Sequence, residues 1–141
     1  MKNIVLSFIV LFTSVNIVSA QDVFGVWKTI DDTDNVEKSH IEIYEENGKV
    51  YGKVIKLLEG ATATHCDNCE GSLKGAPITG MVLLKDLVAE DDYYEDGEII
   101  DPATGKVYSC WIQLESADKL KVRGFLGFSV LGRTQYWYRV Q

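Results

Sequence analysis

The dipeptide Asn47-Gly48 is the sequence feature that most constrains this fold, because it separates two runs of alternating apolar and polar residues. The first run is HIEIYEE (40–46), and the second is KVYGKVI (49–55). A two-residue type I′ turn needs positive φ at both positions, which asparagine and glycine tolerate, so the pattern predicts a β-hairpin of fixed register. One face of this hairpin is charged and is expected to face solvent. The other face, expected in the interior, carries Ile41, Ile43 and Val54.

The rest of the chain predicts further strands joined by short turns. Glycine, proline and acidic residues divide it at hairpin spacing, and no segment has the period of a persuasive amphipathic helix. We predict an acidic turn at 29–35, a strand at 78–84, an acidic turn region at 91–97, a turn at 101–106 and an alternating strand at 107–115. About eight strands result, which indicates an all-β fold, either a sandwich or an antiparallel up-and-down barrel.

The two ends of the chain predict that the sheet closes into a barrel. The last stretch, 118–140, has strand composition and three glycines, which indicate sharp bends or close backbone approach. Its best partner is the segment 24–28, because pairing the first strand with the last removes both exposed sheet edges. One face of the last strand carries Arg133, Gln135, Trp137 and Arg139. Periodicity alone leaves open whether this face is the interior.

Residues 1–20 predict a secretory signal peptide. An early lysine, an apolar stretch at 4–12 and the small residues at 18–20 match its three parts, and Asn16 interrupts the run that an anchoring helix would need. Cleavage would leave a single domain, 21–141, in the periplasm or outside the cell, with no second run of membrane-spanning length. The formal charge would change from −7 to −8, since cleavage removes one lysine and no acid. Such a charge disfavours binding to nucleic acid.

The segment 59–77 shows no periodicity and predicts one long loop, which carries the sequence CDNC at 66–69. A secreted chain favours oxidised cysteines, so we expect one structural disulfide. Cys66 with Cys69 is the favoured pair, and a bridge to Cys110 is the other possibility, although Cys110 lies on an apolar face and is expected to be buried. A metal site using His65, Cys66 and Cys69 is an alternative. Redox activity is disfavoured because no thioredoxin-like βαβ context surrounds the pair.

No set of residues predicts catalysis or a bound cofactor. The histidines are His40 and His65, and the sequence has no G-x-S-x-G nucleophile elbow. The acids within 31–34 and at 91–92 lack the spacing of an EF-hand, so we interpret them as solvated turn residues. The sequence therefore indicates a non-enzymatic protein.

Motifs along nearly the whole domain resemble the bacterial secreted proteins called domain of unknown function 2147. They are G-x-W at 25–27, I-x-I-Y at 41–44, N-G-K-x-Y-G-K at 47–53, C-x-x-C at 66–69, D-P-x-x-G-K-x-Y-x-C at 101–110, L-K-V-R-G-x-L-G at 120–127 and G-R-T-Q-x-W-x-R at 132–139. The resemblance implies a lipocalin-like (calycin) β-barrel with one long Cys-containing loop. In such a barrel Gly25, Trp27 and Arg139 form a structural signature, in which Trp27 plugs one end and Arg139 packs on its ring.

The resemblance also bears on the interior of the barrel. Because Arg139 must reach Trp27, the face of the last strand that it shares is expected to point inward. The ligand-binding candidates are then Arg133, Gln135, Trp137, Ile43, Val54 and Tyr108. An arginine inside an apolar barrel is costly unless it is paired, and an anionic ligand head or an acid of the chain would offset that cost.

These features predict a bacterial envelope or secreted protein that binds a small amphipathic or hydrophobic ligand in its barrel. One alternative is a structural or protein-interaction module whose barrel is filled by aromatic side chains. Another is a metal-binding or redox protein that acts through the loop at 66–69.

We predict that the exported protein begins at Gln21. The intact mass of protein recovered from its own host tests this, and it should equal that of residues 21–141. A mass that includes the first 20 residues would contradict the secretory interpretation.

Overall fold

Eight antiparallel strands form a closed barrel in the computed structural model, which describes residues 22–128 and 131–141. The predicted signal peptide lies outside the described residues. The strands are β1 (Gly25–Ile30), β2 (Glu37–Glu46), β3 (Lys49–Leu57), β4 (Val82–Glu90), β5 (Tyr93–Ile100), β6 (Val107–Ser116), β7 (Lys119–Phe125) and β8 (Gly132–Arg139). Each strand pairs with the next in the chain, and β8 returns to β1. The predicted up-and-down barrel is therefore confirmed.

The β2–β3 hairpin has the register that its turn predicts. Ile41 pairs with Val54 and Ile43 pairs with Gly52, and the side chains of Ile41, Ile43 and Val54 are at most 1% exposed. The Asn47-Gly48 turn has φ values of 52° and 78°, as a two-residue hairpin loop requires. The local turn chemistry thus sets which residues of these two strands enter the core.

The strand predicted at 78–84 begins later, at Val82, and continues to Glu90. The backbone first turns between Ile78 and Met81, where the Met81 amide donates to the Ile78 carbonyl at 3.0 Å. Gly80 has a φ of 93° in this turn, which favours glycine. Ile78 and Met81 are buried but belong to the loop, so their apolar character reflects packing and not strand structure.

The acidic turn predicted at 91–97 is also shorter than expected. Only residues 91–92 form the turn, and β5 begins at Tyr93. The acids of β5 lie on a strand whose neighbours accommodate them, as where Glu98 pairs with Lys85 at 3.4 Å. Gly97 is buried against Leu87, so the strand has an interior face although its sequence is acidic.

The two ends of the barrel differ in the length of their loops. One end, called the closed end below, has the two-residue turns at 47–48, 91–92 and 117–118. The other end, called the mouth, has the longer connections at 31–36, 58–81, 101–106 and 126–131. Loops that carry binding residues are commonly long segments held by a rigid scaffold, so a binding site is expected at the mouth.

Trp27 and Arg139 seal the closed end. Trp27 has no exposed surface, and its indole nitrogen donates to the Val23 carbonyl at 2.8 Å. Arg139 is its cross-strand partner, and the guanidinium carbon lies 4.3 Å from the Trp27 ring centroid. The three guanidinium nitrogens donate to the carbonyls of Asp22, Phe24 and Ala117 at 2.8–2.9 Å. The predicted contact is present, and Arg139 ties together the segment before β1, the turn before β7 and the last strand.

Gly25 leaves room for this arrangement. Its φ is 122°, and a β-carbon at this position would lie 3.0 Å from Nη1 of Arg139. A side chain here would therefore strain the backbone and press on the guanidinium, which explains why a glycine stands two residues before Trp27.

We predict that Trp27→Ala destabilises the protein by about 3–5 kcal/mol, as for other buried aromatic truncations. Arg139→Lys should cost about 1–2 kcal/mol, because an ammonium lacks the flat face and the fork of donors. Denaturant unfolding measures both changes. The matched control is Trp111→Ala, which removes a half-buried tryptophan from the outer wall. An equal loss in that variant would contradict a sealing role for Trp27.

Candidate ligand-binding site

A cavity of about 250 Å³ opens at the mouth of the barrel. Its volume lies just below the range of roughly 300–1,000 Å³ that is usual for small-molecule sites. Much of its lining is apolar and is formed by Ile41, Val54, Ile78, Leu83, Ile99, Val122 and Trp137. The cavity therefore has room for a small molecule, or for the apolar end of a longer one.

Five of the six predicted ligand-binding residues line this cavity: Arg133, Gln135, Trp137, Val54 and Tyr108. The sixth, Ile43, does not. It pairs with Gly25 near the closed end and is 1% exposed in the packed core. The alternating pattern identified its face correctly, but a ten-residue strand such as β2 has inward positions at both ends of the barrel.

An ion pair at the mouth joins β8 to the loop between β1 and β2. The guanidinium of Arg133 donates to both carboxylate oxygens of Asp32, and its Nε lies 3.0 Å from Oδ2. The side-chain amide of Gln135 donates to the same carboxylate at 3.2 Å. The hydrogen bond from Arg133, supported by that from Gln135, lowers the pKa of Asp32 although partial burial opposes the shift.

This ion pair modifies the interpretation of Asp32 and decides between the two partners that the sequence left open for Arg133. Asp32 was expected to be a solvated turn acid, but its side chain is 26% exposed and holds an arginine that lies 101 positions further along the chain. Arg133 in turn has a partner within the protein. An anionic ligand head is therefore not needed to offset its charge.

Two further acids stand at the mouth beside polar groups of their own loops. The carboxylate of Asp31 accepts hydrogen bonds from the hydroxyl and the amide of Thr33, and the hydroxyl bond is the main reason that its pKa is lowered. Asp101 accepts from the Ala103 amide at 2.9 Å and from the Thr104 hydroxyl at 3.0 Å. Such bonds between a side chain and its own turn fix the loop backbone. Both residues line the cavity.

A pair of hydroxyl groups lies in the cavity wall. Oγ1 of Thr29 and Oγ of Ser39 are 2.8 Å apart, and both residues are at least 92% buried. Thr29 Oγ1 also lies 3.4 Å from the Ser39 carbonyl. Because the two hydroxyls satisfy each other, they add polarity to an apolar wall without leaving an unpaired buried group.

The long connection at 58–81, called the strap below, lies over one side of the mouth, where Ala61, Ala63 and Ile78 line the cavity. Cys66 and Cys69 form a disulfide within it, as predicted. Both are buried, so the small loop that they close packs against the barrel. Lys38 fastens the start of the strap by donating to the Gly60 carbonyl at 3.1 Å.

The strap is docked on the turn at 101–106. The side-chain amide of Asn68 donates to the Ala103 carbonyl at 2.9 Å, and Sγ of Cys66 lies 3.3 Å from the Pro102 carbonyl oxygen. Gly105 makes the approach possible, since a β-carbon there would lie 1.9 Å from the Asn68 carbonyl oxygen. Part of the motif at 101–110 thus forms the surface on which the Cys-containing loop packs.

The remaining sulfur and histidine groups do not form a reactive site together. Cys110 is free and buried, and burial raises the pKa of its thiol to about 12, so it stays protonated at neutral pH. His65 is exposed, and its Nδ1 lies 2.9 Å from the Thr64 hydroxyl. Within residues 22–128 and 131–141, no group of three or more His, Cys, Asp or Glu side chains is placed to hold a metal ion.

The closed barrel with its single long strap and open mouth defines a lipocalin-like protein. A solved structure supports this class: protein HP1028 from the human pathogen Helicobacter pylori, described as belonging to the lipocalin family. The match has a TM-score of 0.76 and covers 86% of this chain and 85% of that chain at 23% sequence identity. At this identity the likeness shows the fold alone.

The chain belongs to the family described as uncharacterized proteins conserved in bacteria (DUF2147), which it matches over residues 25–139. The predicted family is therefore confirmed. A search of curated proteins finds no match. Among the described residues, no helix has the length and apolar character needed to span a membrane.

We predict that Gly105→Ala loosens the strap. The substitution should lower the free energy of unfolding by about 1–2 kcal/mol because of the left-handed backbone, and by about 1–3 kcal/mol more because of the clash with Asn68. The control is Gly75→Ala, because Gly75 has the same φ of 73° but no atom within 4 Å of its added β-carbon. Denaturant unfolding, with limited proteolysis of the strap, measures the difference. Equal losses in the two variants would show that docking on the turn is unimportant.

Proposed function

We propose that this protein is a non-enzymatic binding protein of the bacterial envelope or exterior, which holds a small amphipathic molecule in its barrel. The observation that carries the proposal is the cavity, which is lined by apolar side chains of the barrel and by polar and charged side chains of the mouth. Apolar surface removed from water contributes about 25 cal/mol per Å², so an apolar group that leaves water for this cavity would be stabilised there. The polar opening would leave the ligand's head in contact with water.

Trp137 forms an apolar part of the cavity wall. The ring is 2% exposed and faces the cavity, and its indole nitrogen donates to Oε1 of Gln135 at 3.2 Å. Since the one polar atom of the ring is already bonded, the remaining surface offers an apolar contact. A ligand that reaches the ring would therefore make an apolar contact without breaking a hydrogen bond.

The cysteines support the proposed location of the protein outside the cytoplasm. A disulfide between Cys66 and Cys69 is typical of proteins in an oxidising environment, and the family is bacterial. The predicted signal peptide at 1–20 is consistent with export from the cytoplasm. A barrel that acts outside the cytoplasm would meet small amphipathic molecules in the envelope or the medium.

A second candidate function, a protein-interaction module, is favoured by one surface feature. Leu126, Phe128 and Leu131 are 54%, 78% and 66% exposed in the connection beside the mouth. Large exposed apolar side chains that lie together can mark an interaction site. Sedimentation of the protein with and without Phe128→Ser tests whether this surface drives self-association. That measurement is independent of the cavity.

We predict that filling the cavity from Gly124 weakens binding. Gly124 lines the cavity, and a β-carbon there would make ordinary contacts of 3.4–3.5 Å with Ile99 and Tyr108. The series Gly124→Ala, Gly124→Val and Gly124→Leu should therefore fill the space progressively without unfolding the barrel. The neutral fluorescent probe N-phenyl-1-naphthylamine reports occupancy by its emission increase.

The control for this series is Ser109→Leu, which adds similar bulk at an exposed position on β6. The probe should bind the unmodified protein and the control equally, and its affinity should fall stepwise through the series to at least tenfold weaker for leucine. Unchanged affinity in a folded Gly124→Leu protein would place the probe outside the barrel and would overturn the proposal.

A further inference from the structure

Two polar side chains occupy inward positions of the barrel wall. Thr29 on β1 and Ser39 on β2 are cross-strand partners, and they lie one inward position nearer the mouth than the buried pair of Trp27 and Ile41. Thr29 and Ser39 are 8% and 6% exposed, and both line the cavity. A buried hydroxyl is tolerated only when it is hydrogen-bonded, so this pair brings a polar element into a mostly apolar wall.

The pair has more hydrogen-bonding capacity than its own contacts use. Each hydroxyl has one hydrogen and two lone pairs. If Ser39 donates to Thr29 across 2.8 Å, Thr29 can donate to the Ser39 carbonyl at 3.4 Å, and both lone pairs of Ser39 Oγ remain. If Thr29 donates across the 2.8 Å contact instead, the Ser39 hydrogen and one of its lone pairs remain, within the part of the chain that the structure describes. In both arrangements Oγ of Ser39 is the atom that can bind a further group.

We infer that the ligand carries an uncharged hydroxyl group, which hydrogen-bonds to Oγ of Ser39 while its apolar part lies against Ile41 and Trp137. This inference rests on the proposed function and specifies the ligand class of the same site, an alcohol. A hydroxyl suits both arrangements, because it can accept the Ser39 hydrogen or donate to a Ser39 lone pair. An ether or carbonyl oxygen can only accept, so it suits one arrangement alone. Water at the open mouth can take the other bonds of the ligand's hydroxyl.

An ionised head would be poorly placed beside this pair. Thr29 and Ser39 are almost fully buried, and their side chains offer only neutral partners. An ion that reached Ser39 would lose hydration, and one bond to a neutral hydroxyl does not replace it. The pair therefore favours an uncharged polar group over a carboxylate or an ammonium.

Two isomeric competitors test the inference: 1-octanol and 1-methoxyheptane. They contain the same atoms, but the ether has no hydroxyl hydrogen. Each is titrated at neutral pH into the mature protein carrying N-phenyl-1-naphthylamine, and loss of probe fluorescence gives its affinity. The ratio of the two affinities is the alcohol preference. In Ser39→Ala this preference should fall roughly fivefold, as for the loss of one neutral hydrogen bond.

The variant Thr29→Val separates recognition from packing. Valine keeps the shape of threonine, and Ser39 then has a ligand hydroxyl as its partner, so the alcohol preference should persist or rise. Both variants should fold, because in Ser39→Ala the Thr29 hydroxyl keeps the carbonyl of residue 39 as its acceptor. Denaturant unfolding checks this. The control Ser109→Ala removes an exposed hydroxyl from β6 and should leave the preference unchanged.

The unmodified protein supplies a comparison that needs no variant. It should bind 1-octanol more tightly than n-octanoate or n-octylammonium, which carry charged heads on an alkyl chain of similar length. Tighter binding of either ion would overturn the hydroxyl ligand and leave the barrel site standing. So would an alcohol preference that survives in Ser39→Ala, or one that falls equally in Thr29→Val. Failure of the probe itself to bind the unmodified protein would overturn the proposed function.

Discussion

The stacking of Arg139 on Trp27 is the interaction on which the rest of the structure depends. A meander of eight strands has two exposed edges until its first and last strands pair, and this contact lies on that seam. The guanidinium also bonds three carbonyls from separate parts of the chain, which fixes the closed end in one arrangement. Because that end is filled by a tryptophan and crossed by tight turns, the barrel can be hollow only towards its mouth.

The cavity exists because one part of the barrel interior has no large side chain to fill it. Two tryptophans face the interior: Trp27 fills the closed end, and Trp137 forms part of the cavity wall. Between Ile99 and Tyr108 the chain places Gly124, so a space remains that a larger side chain would occupy. Protein interiors are otherwise close-packed, and this space is where the proposed ligand would lie.

Local chemistry predicted much of the fold, since the Asn47-Gly48 turn set a register and the ends of the chain suggested closure. The predictions were wrong or incomplete for residues whose role depends on their position in the folded barrel. Alternation assigned Ile43 to the interior but could not give its height in the barrel. Asp32 looked like any turn acid, because its pairing with Arg133 exists only after the barrel has closed across 101 positions of sequence.

The central claim is that the barrel binds the apolar end of a small amphipathic molecule beneath its mouth. A crystal structure of the mature protein soaked with an ω-bromoalkanol tests it most directly, because anomalous scattering locates the bromine without ambiguity. The account predicts a bromine peak inside the cavity beside Trp137, with the hydroxyl head towards the mouth. Bromine peaks confined to the outer surface, with the cavity unchanged, would contradict it.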